Sequence, residues 1–82
     1  MKTLITSAID ALKRNSELSF DDLFNMILKD FLPKWKEELP NLTFEDILIR
    51  KKGELYKLLT VDGHFMMVGN NVWKLRHNFV NN

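Results

Sequence analysis

The sequence contains no cysteine. That excludes disulfides, thiolate nucleophiles and zinc centres with sulfur ligands, and it suits a reducing compartment. No run of about 18 apolar residues occurs, so no segment has membrane-spanning length. The opening Met1-Lys2-Thr3-Leu4-Ile5 lacks the apolar stretch and cleavage site of a secretory signal. A cytoplasmic location with no membrane partner is therefore expected. Phosphate-cradling glycine loops, nucleophile motifs and carboxylate pairs at a defined spacing are all missing. Asp62, His64 and His77 provide a carboxylate and two imidazoles, but at no metal-ligand spacing, and Asp62 is better placed as a turn residue. No catalytic residue, cofactor or metal is expected. An excess of one charge is lacking too. Twelve Lys and Arg against eleven Asp and Glu leave +1, whereas a strong nonspecific nucleic-acid binder carries a clear basic surplus.

What is present is a core. Hydrophobic residues make up 45% of the 82 and aromatics 11%, a globular composition sufficient for one domain. With three glycines and two prolines, few places invite the chain to turn. From Thr3 to Arg14, Leu4, Ile5, Ala8, Ile9 and Leu12 recur at helical spacing. Lys13 and Arg14 favour the helix's last turn, and Asn15-Ser16 can end it. Leu18-Ser19-Phe20 alternates like a very short strand. Ser19 followed by Asp22 is a capping signal, which predicts a second helix from Phe20 to about Leu32 with Phe20, Leu23, Phe24, Ile27, Leu28 and Phe31 as its stripe. Pro33 should kink that helix or open a separate short one, carrying Trp35 and Leu39 and ending at Pro40. Thr43 with Asp46 repeats the capping signal. It predicts a third helix from Phe44 to about Leu59 with Phe44, Ile47, Leu48, Leu55, Leu58 and Leu59 on one face. Gly53 falls on its outer side, as a bend or a point of close approach.

Beyond Asp62-Gly63, a turn, the apolar period drops from 3.6 to 2. Phe65, Met67 and Val68 form one strand and Val72, Trp73 and Leu75 another. Gly69-Asn70-Asn71 between them tolerates positive φ, which predicts a β-hairpin. Phe65 and Met67 should share a face, as should Trp73 and Leu75, with Phe79 beneath. An isolated hairpin is marginal in water, so Trp73 must dock on the helices. The order helix, short strand, helix, helix, strand, strand is an α+β winged helix-turn-helix: three main helices, a C-terminal hairpin wing and a short strand before the second helix. The domain should span 1–79, with 80–82 a frayed end.

The near-neutral total hides an asymmetry. Residues 1–42 hold six basic and seven acidic side chains; residues 47–82 hold Arg50, Lys51, Lys52, Lys57, Lys74 and Arg76 against Glu54 and Asp62. An electrostatic partner should meet the C-terminal half. Asp46 and Glu54 lie four residues from Arg50, and Glu54 three from Lys57, spacings that form surface ion pairs. Lys51 falls near the apolar face and should snorkel. The third helix contains neither Asn nor Gln, the usual adenine readers. Ile49, Lys52 and Tyr56 lie off the core stripe, and an exposed tyrosine beside an aliphatic residue suits a protein interface. The competing reading has the Trp35 segment covering them. On the wing, His64, Lys74, Arg76 and His77 suit phosphates or an acidic protein surface.

Gly53-Glu54-Leu55-Tyr56-Lys57-Leu58-Leu59-Thr60-Val61-Asp62-Gly63-His64-Phe65 resembles a signature of the bacterial RNA polymerase delta subunit, in which an Asp-Gly-basic-Phe turn leads into the wing. Asn71-Val72-Trp73-Lys74-Leu75-Arg76 resembles that family's Trp-x-Leu-Arg ending, and Phe44 and Leu18-Ser19-Phe20-Asp21-Asp22-Leu23 match weaker positions. His64 stands where arginine is more usual, and the stretch from Pro33 to Leu42 is longer than the family's. The resemblance implies a winged-helix domain of the HARE-type helix-turn-helix group. It would attach delta to core RNA polymerase and modulate initiation and recycling, as a non-catalytic accessory subunit without an active site of its own. Delta chains also carry a long acidic tail. None follows Phe79 here, as expected for a domain cut from a longer chain or for a member without the tail. The expected partner is core RNA polymerase, with weak nucleic-acid contact secondary and the chain monomeric by itself. The partner-binding residues are expected to be Ile49, Arg50, Lys52, Tyr56, Lys57, His64, Lys74, Arg76 and His77. The alternatives are a small winged-helix DNA-binding regulator using the same surface, and a dimerisation module with Trp35 and Tyr56 at its interface.

Overall fold

In a computed structural model, residues 3–76 are described. The expectations for His77 and Phe79 fall outside them. The elements are α1 (Leu4–Arg14), β1 (Leu18–Ser19), α2 (Phe20–Glu38), α3 (Phe44–Val61), β2 (Phe65–Met67) and β3 (Val72–Leu75). Three helices and one small antiparallel sheet make an α+β fold.

Each helix begins where a hydroxyl can take up a free backbone N–H. Ser19 Oγ accepts from the Asp22 amide at 3.1 Å and Thr43 Oγ1 from the Asp46 amide at 3.1 Å, as the spacing predicts. The start of α1 is tied more firmly. Thr6 N–H donates to Thr3 Oγ1 at 3.2 Å and Thr3 N–H to Thr6 Oγ1 at 2.8 Å. That reciprocal pair was hidden because threonine replaces the usual Glu or Gln three residues on. Asn15 caps the far end, its side-chain amide donating to the Ala11 carbonyl at 3.1 Å. The buried face of α1 is Ser7, Ala8, Ala11 and Leu12, with Leu4, Ile5 and Ile9 only partly covered. Small side chains thus take the closest positions.

Pro33 does not end the second helix. α2 runs 19 residues through it, although proline offers no N–H to the carbonyl four residues back. Packing on both sides of it explains the continuity. Phe31 and Trp35 are buried, their rings stacked at 5.6 Å. A separate short helix would give up that contact.

The sheet is larger than a hairpin. Its order is β1-β3-β2, with Leu18 opposite Trp73 and Ser19 opposite Val72 on one side of β3. Phe65 pairs with Leu75 and Met67 with Trp73 on the other. Gly69 and Asn71 take φ of 88° and 59° at the turn, the left-handed region that glycine and asparagine enter at least cost. Asn71 also accepts the Trp73 indole N–H on Oδ1 at 3.3 Å and the Phe20 amide on its carbonyl at 2.9 Å. Phe65, Trp73 and Leu75 face the helices and are buried. Met67 shares their parity but sits at the strand's open end and stays exposed.

Six rings line the junction between these layers. Phe31 meets Trp35, Trp35 meets Phe24 at 6.1 Å, and Phe24 meets Phe20 at 6.4 Å. Tyr56 then stands edge-on to both Phe20 at 5.7 Å and Trp73 at 6.1 Å. Edge-to-face and offset pairs add about 0.5–1.5 kcal/mol each beyond area burial, so the aromatic row joins α2, α3 and the sheet.

Candidate functional site

α3 buries Ile47, Leu55 and Leu59. A helix turns about 100° per residue, so its opposite face is centred on Gly53, with Ile49, Tyr56 and Thr60 alongside. Phe44, expected on the core stripe, is 46% exposed. It occupies the first helical position, before α2 closes over the helix, and Lys36 Nζ lies 5.9 Å from its ring centroid. Gly53 does not interrupt the helix and faces no other part of the described chain. α3 is continuous through it, and a Cβ built there would meet nothing within 4 Å.

Ile49 is 71% exposed and Tyr56 44%. Trp35 does not cover them. It is 3% exposed, stacked on Phe24 within α2 and approached by Lys51 of α3. The two outward residues differ in freedom. Contacts with Phe20 and Trp73 hold the Tyr56 ring, whereas Ile49 projects from a bare helical turn.

The charges are arranged otherwise than spacing suggests. Glu54 pairs with Lys51 at 3.3 Å rather than with Arg50 or Lys57. Lys51 snorkels as expected, its Nζ 5.5 Å from the centroid of the Trp35 ring. That position brings it to Glu54, one helical turn along. Among the described residues, Arg50 and Lys57 therefore have no carboxylate within ion-pair distance. Lys52 lies along α2 with its Nζ 5.5 Å from the Phe24 ring centroid. At the helix start, Glu45 and Asp46 are both exposed.

The hairpin residues form a second group. Alternation along β3 turns Trp73 and Leu75 inward and Lys74 outward, opposite Met66. Lys74 is half-buried on that outer sheet face and Arg76, just past the strand, is exposed. The backbone of Arg76 bonds to the His64 carbonyl at 2.9 Å. His64 is held by Asp62, whose carboxylate accepts both the His64 amide, at 2.8 Å, and a hydrogen bond from the imidazole Nδ1. The backbone bond chiefly holds the Asp62 carboxyl below its ordinary value. Partial burial opposes this, and the His64 ring adds to it through its hydrogen bond and charge. Asp62 is thus the turn residue the sequence suggested. The nine expected positions divide into an α3 face (Ile49, Arg50, Lys52, Tyr56, Lys57) and a hairpin base (His64, Lys74, Arg76), with His77 outside the described residues.

Two shallow clefts lie elsewhere. One of about 380 Å³ is lined by Phe31, Lys34, Trp35, Glu38 and Lys51 with the start of α1; another of about 240 Å³ lies between Leu39, Leu42, Phe44 and Ile47. Among the described residues no three His, Cys, Asp or Glu side chains gather as a metal site, and no helix is long and apolar enough to cross a membrane. Neither protein-family models, nor curated proteins, nor solved structures offer a match to this chain.

Proposed function

We propose that the chain is a winged-helix domain of the bacterial transcription machinery, a delta-type accessory subunit that docks on core RNA polymerase and modulates initiation and recycling. In this reading α3 is the docking helix and the β2–β3 hairpin the wing. The domain works in the cytoplasm, performs no chemistry and needs no cofactor. Two things support the fold part. The element order and the β1-β3-β2 sheet suit a winged helix. The residues that resemble delta are also the structural ones: Asp62 makes the turn, while Phe65, Trp73 and Leu75 are buried.

The observation that carries the docking part is Ile49. The face with which such a helix would enter a DNA groove bears an isoleucine 71% exposed and a ring-anchored tyrosine, with carboxylates at its leading end. That surface suits a protein better than phosphates. The test is capture of purified core polymerase by the native domain and by Ile49→Asp, Tyr56→Ala and Arg76→Ala. Loss of at least tenfold in affinity for the first two, with Arg76→Ala closer to native, is the expected result. Native affinity in both α3 variants removes the proposed docking face.

Arg50 and Lys57, without carboxylate partners among the described residues, favour a second reading as a DNA-binding regulator. It requires duplex-DNA affinity that falls steeply with salt and with Arg50→Ala and Lys57→Ala.

A further inference from the structure

We infer that the outward face of α3 is self-complementary and pairs with α3 of a second copy of this chain, antiparallel, about a twofold axis passing between Lys52 and Gly53. The inference stands apart from polymerase docking, although both use the same face.

Helix geometry leads to this pairing. Ile49 and Tyr56 lie two turns apart, about 10 Å along the axis and within about 20° of the same direction. Gly53 lies between them at the crest of the helix, with open space where a side chain would stand. The face is therefore two apolar projections with a notch one residue wide. In an antiparallel pair centred between Lys52 and Gly53, Ile49 of each copy falls level with Tyr56 of the other. The two notches meet, allowing the backbones to approach closely. Tyr56 is already held by Phe20 and Trp73, so little side-chain freedom is lost on contact.

The charges agree with this register. Asp46 and Lys57 occupy the same flank of the outward face, on either side of the axis. Both are exposed, and among the described residues neither has an opposite charge within ion-pair distance. This twofold axis keeps like flanks together and reverses the axial order, which sets Asp46 about 3 Å along the axis from Lys57 of the other copy, twice over. A parallel twofold pair would instead carry Asp46 and Lys57 of the two copies to opposite flanks of the seam, where neither meets its opposite charge. The occupant is thus matched in shape and in charge order by the surface itself. The area is that of a single helix face, which makes the pair weak and concentration-dependent. This departs from the expectation of a monomer, and it moves the interface from Trp35 to Ile49.

Sedimentation velocity of the native chain alone, from about 1 µM to 1 mM, should show a monomer–dimer shift. Gly53→Ala is the most informative variant. Alanine favours the helix by about 1 kcal/mol over glycine, so the domain should melt higher while its dimer weakens at least tenfold. Asp46→Lys and Lys57→Asp should each dimerise at least tenfold more weakly. Mixing the two should restore pairing, because each cross-copy contact then joins opposite charges. Absence of dimer up to 1 mM overturns the inference, as does unweakened pairing in Gly53→Ala or failure of the mixture to recover. Polymerase capture is a separate measurement, so either interaction can fail while the other stands.

Discussion

At the scale of single residues, Asp62 shows how one side chain can serve geometry and charge together. It ends α3, turns the chain into β2 and holds His64 by backbone and ring. Its carboxyl lies below the ordinary value of 3.8. A carboxylate stabilised in the fold contributes stability above its unfolded pKa, and that contribution disappears as pH falls through the folded value. Asp62→Asn keeps an oxygen for the His64 amide but cannot titrate. Its urea midpoint, followed from about pH 2.5 to 7, should therefore decline less steeply than the native one below about pH 4; parallel curves would show no linkage. The sequence made Asp62 legible as a turn, because Asp-Gly after a helix has one common use. Ile49 was legible only as lying off the stripe. Whether it was covered depended on where Trp35 went, and that is a tertiary matter. The partner of Glu54 was hidden for the same reason: Lys51 is drawn to that flank by the Trp35 ring, which no spacing rule contains.

At the scale of elements, caps and periodicity placed the starts of α2 and α3 correctly, since a hydroxyl at the N-cap is a local device. The end of α2 was not local. Pro33 weakens the helix it interrupts, yet burial of Phe31 and Trp35 outweighs that cost. An interior proline costs about 3 kcal/mol, of which the stiffer unfolded chain returns about 0.4–1 kcal/mol. Pro33→Ala should therefore raise unfolding stability by about 2 kcal/mol, read from the urea midpoint. A fall in the midpoint would mean that α2 relies on a bend at Pro33. The three-stranded sheet was half visible. The hairpin announced itself by its period and its Gly-Asn-Asn turn, whereas pairing of β1 with β3 joins residues too distant for any sequence window.

At the scale of the whole molecule, the row of rings from Phe31 to Trp73 makes the sheet and the helices one packing unit. Trp73 ties the sheet into that row, being 3% exposed and central in the sheet. Truncating a buried tryptophan costs about 3–5 kcal/mol, while a chain of this size holds on the order of 4–12 kcal/mol in total. Trp73→Ala should thus lose a large share of its stability, with a urea midpoint well below the native one or no cooperative transition in circular dichroism. A midpoint within error of native would show the ring row to be dispensable. The α+β architecture could be read from the change of period and the need to bury Trp73. The division of the expected site could not, because it follows from which sheet face Lys74 occupies.

The bond from the Phe20 amide to the Asn71 carbonyl, beside the Ser19–Val72 pair, fastens β1 to β3. β3 lies far along the chain from β1, so the nascent domain cannot complete its sheet until Val72–Leu75 have been made. The Phe20 amide should then exchange with solvent deuterium only when the entire domain opens, while amides at the hairpin tip exchange through local fraying.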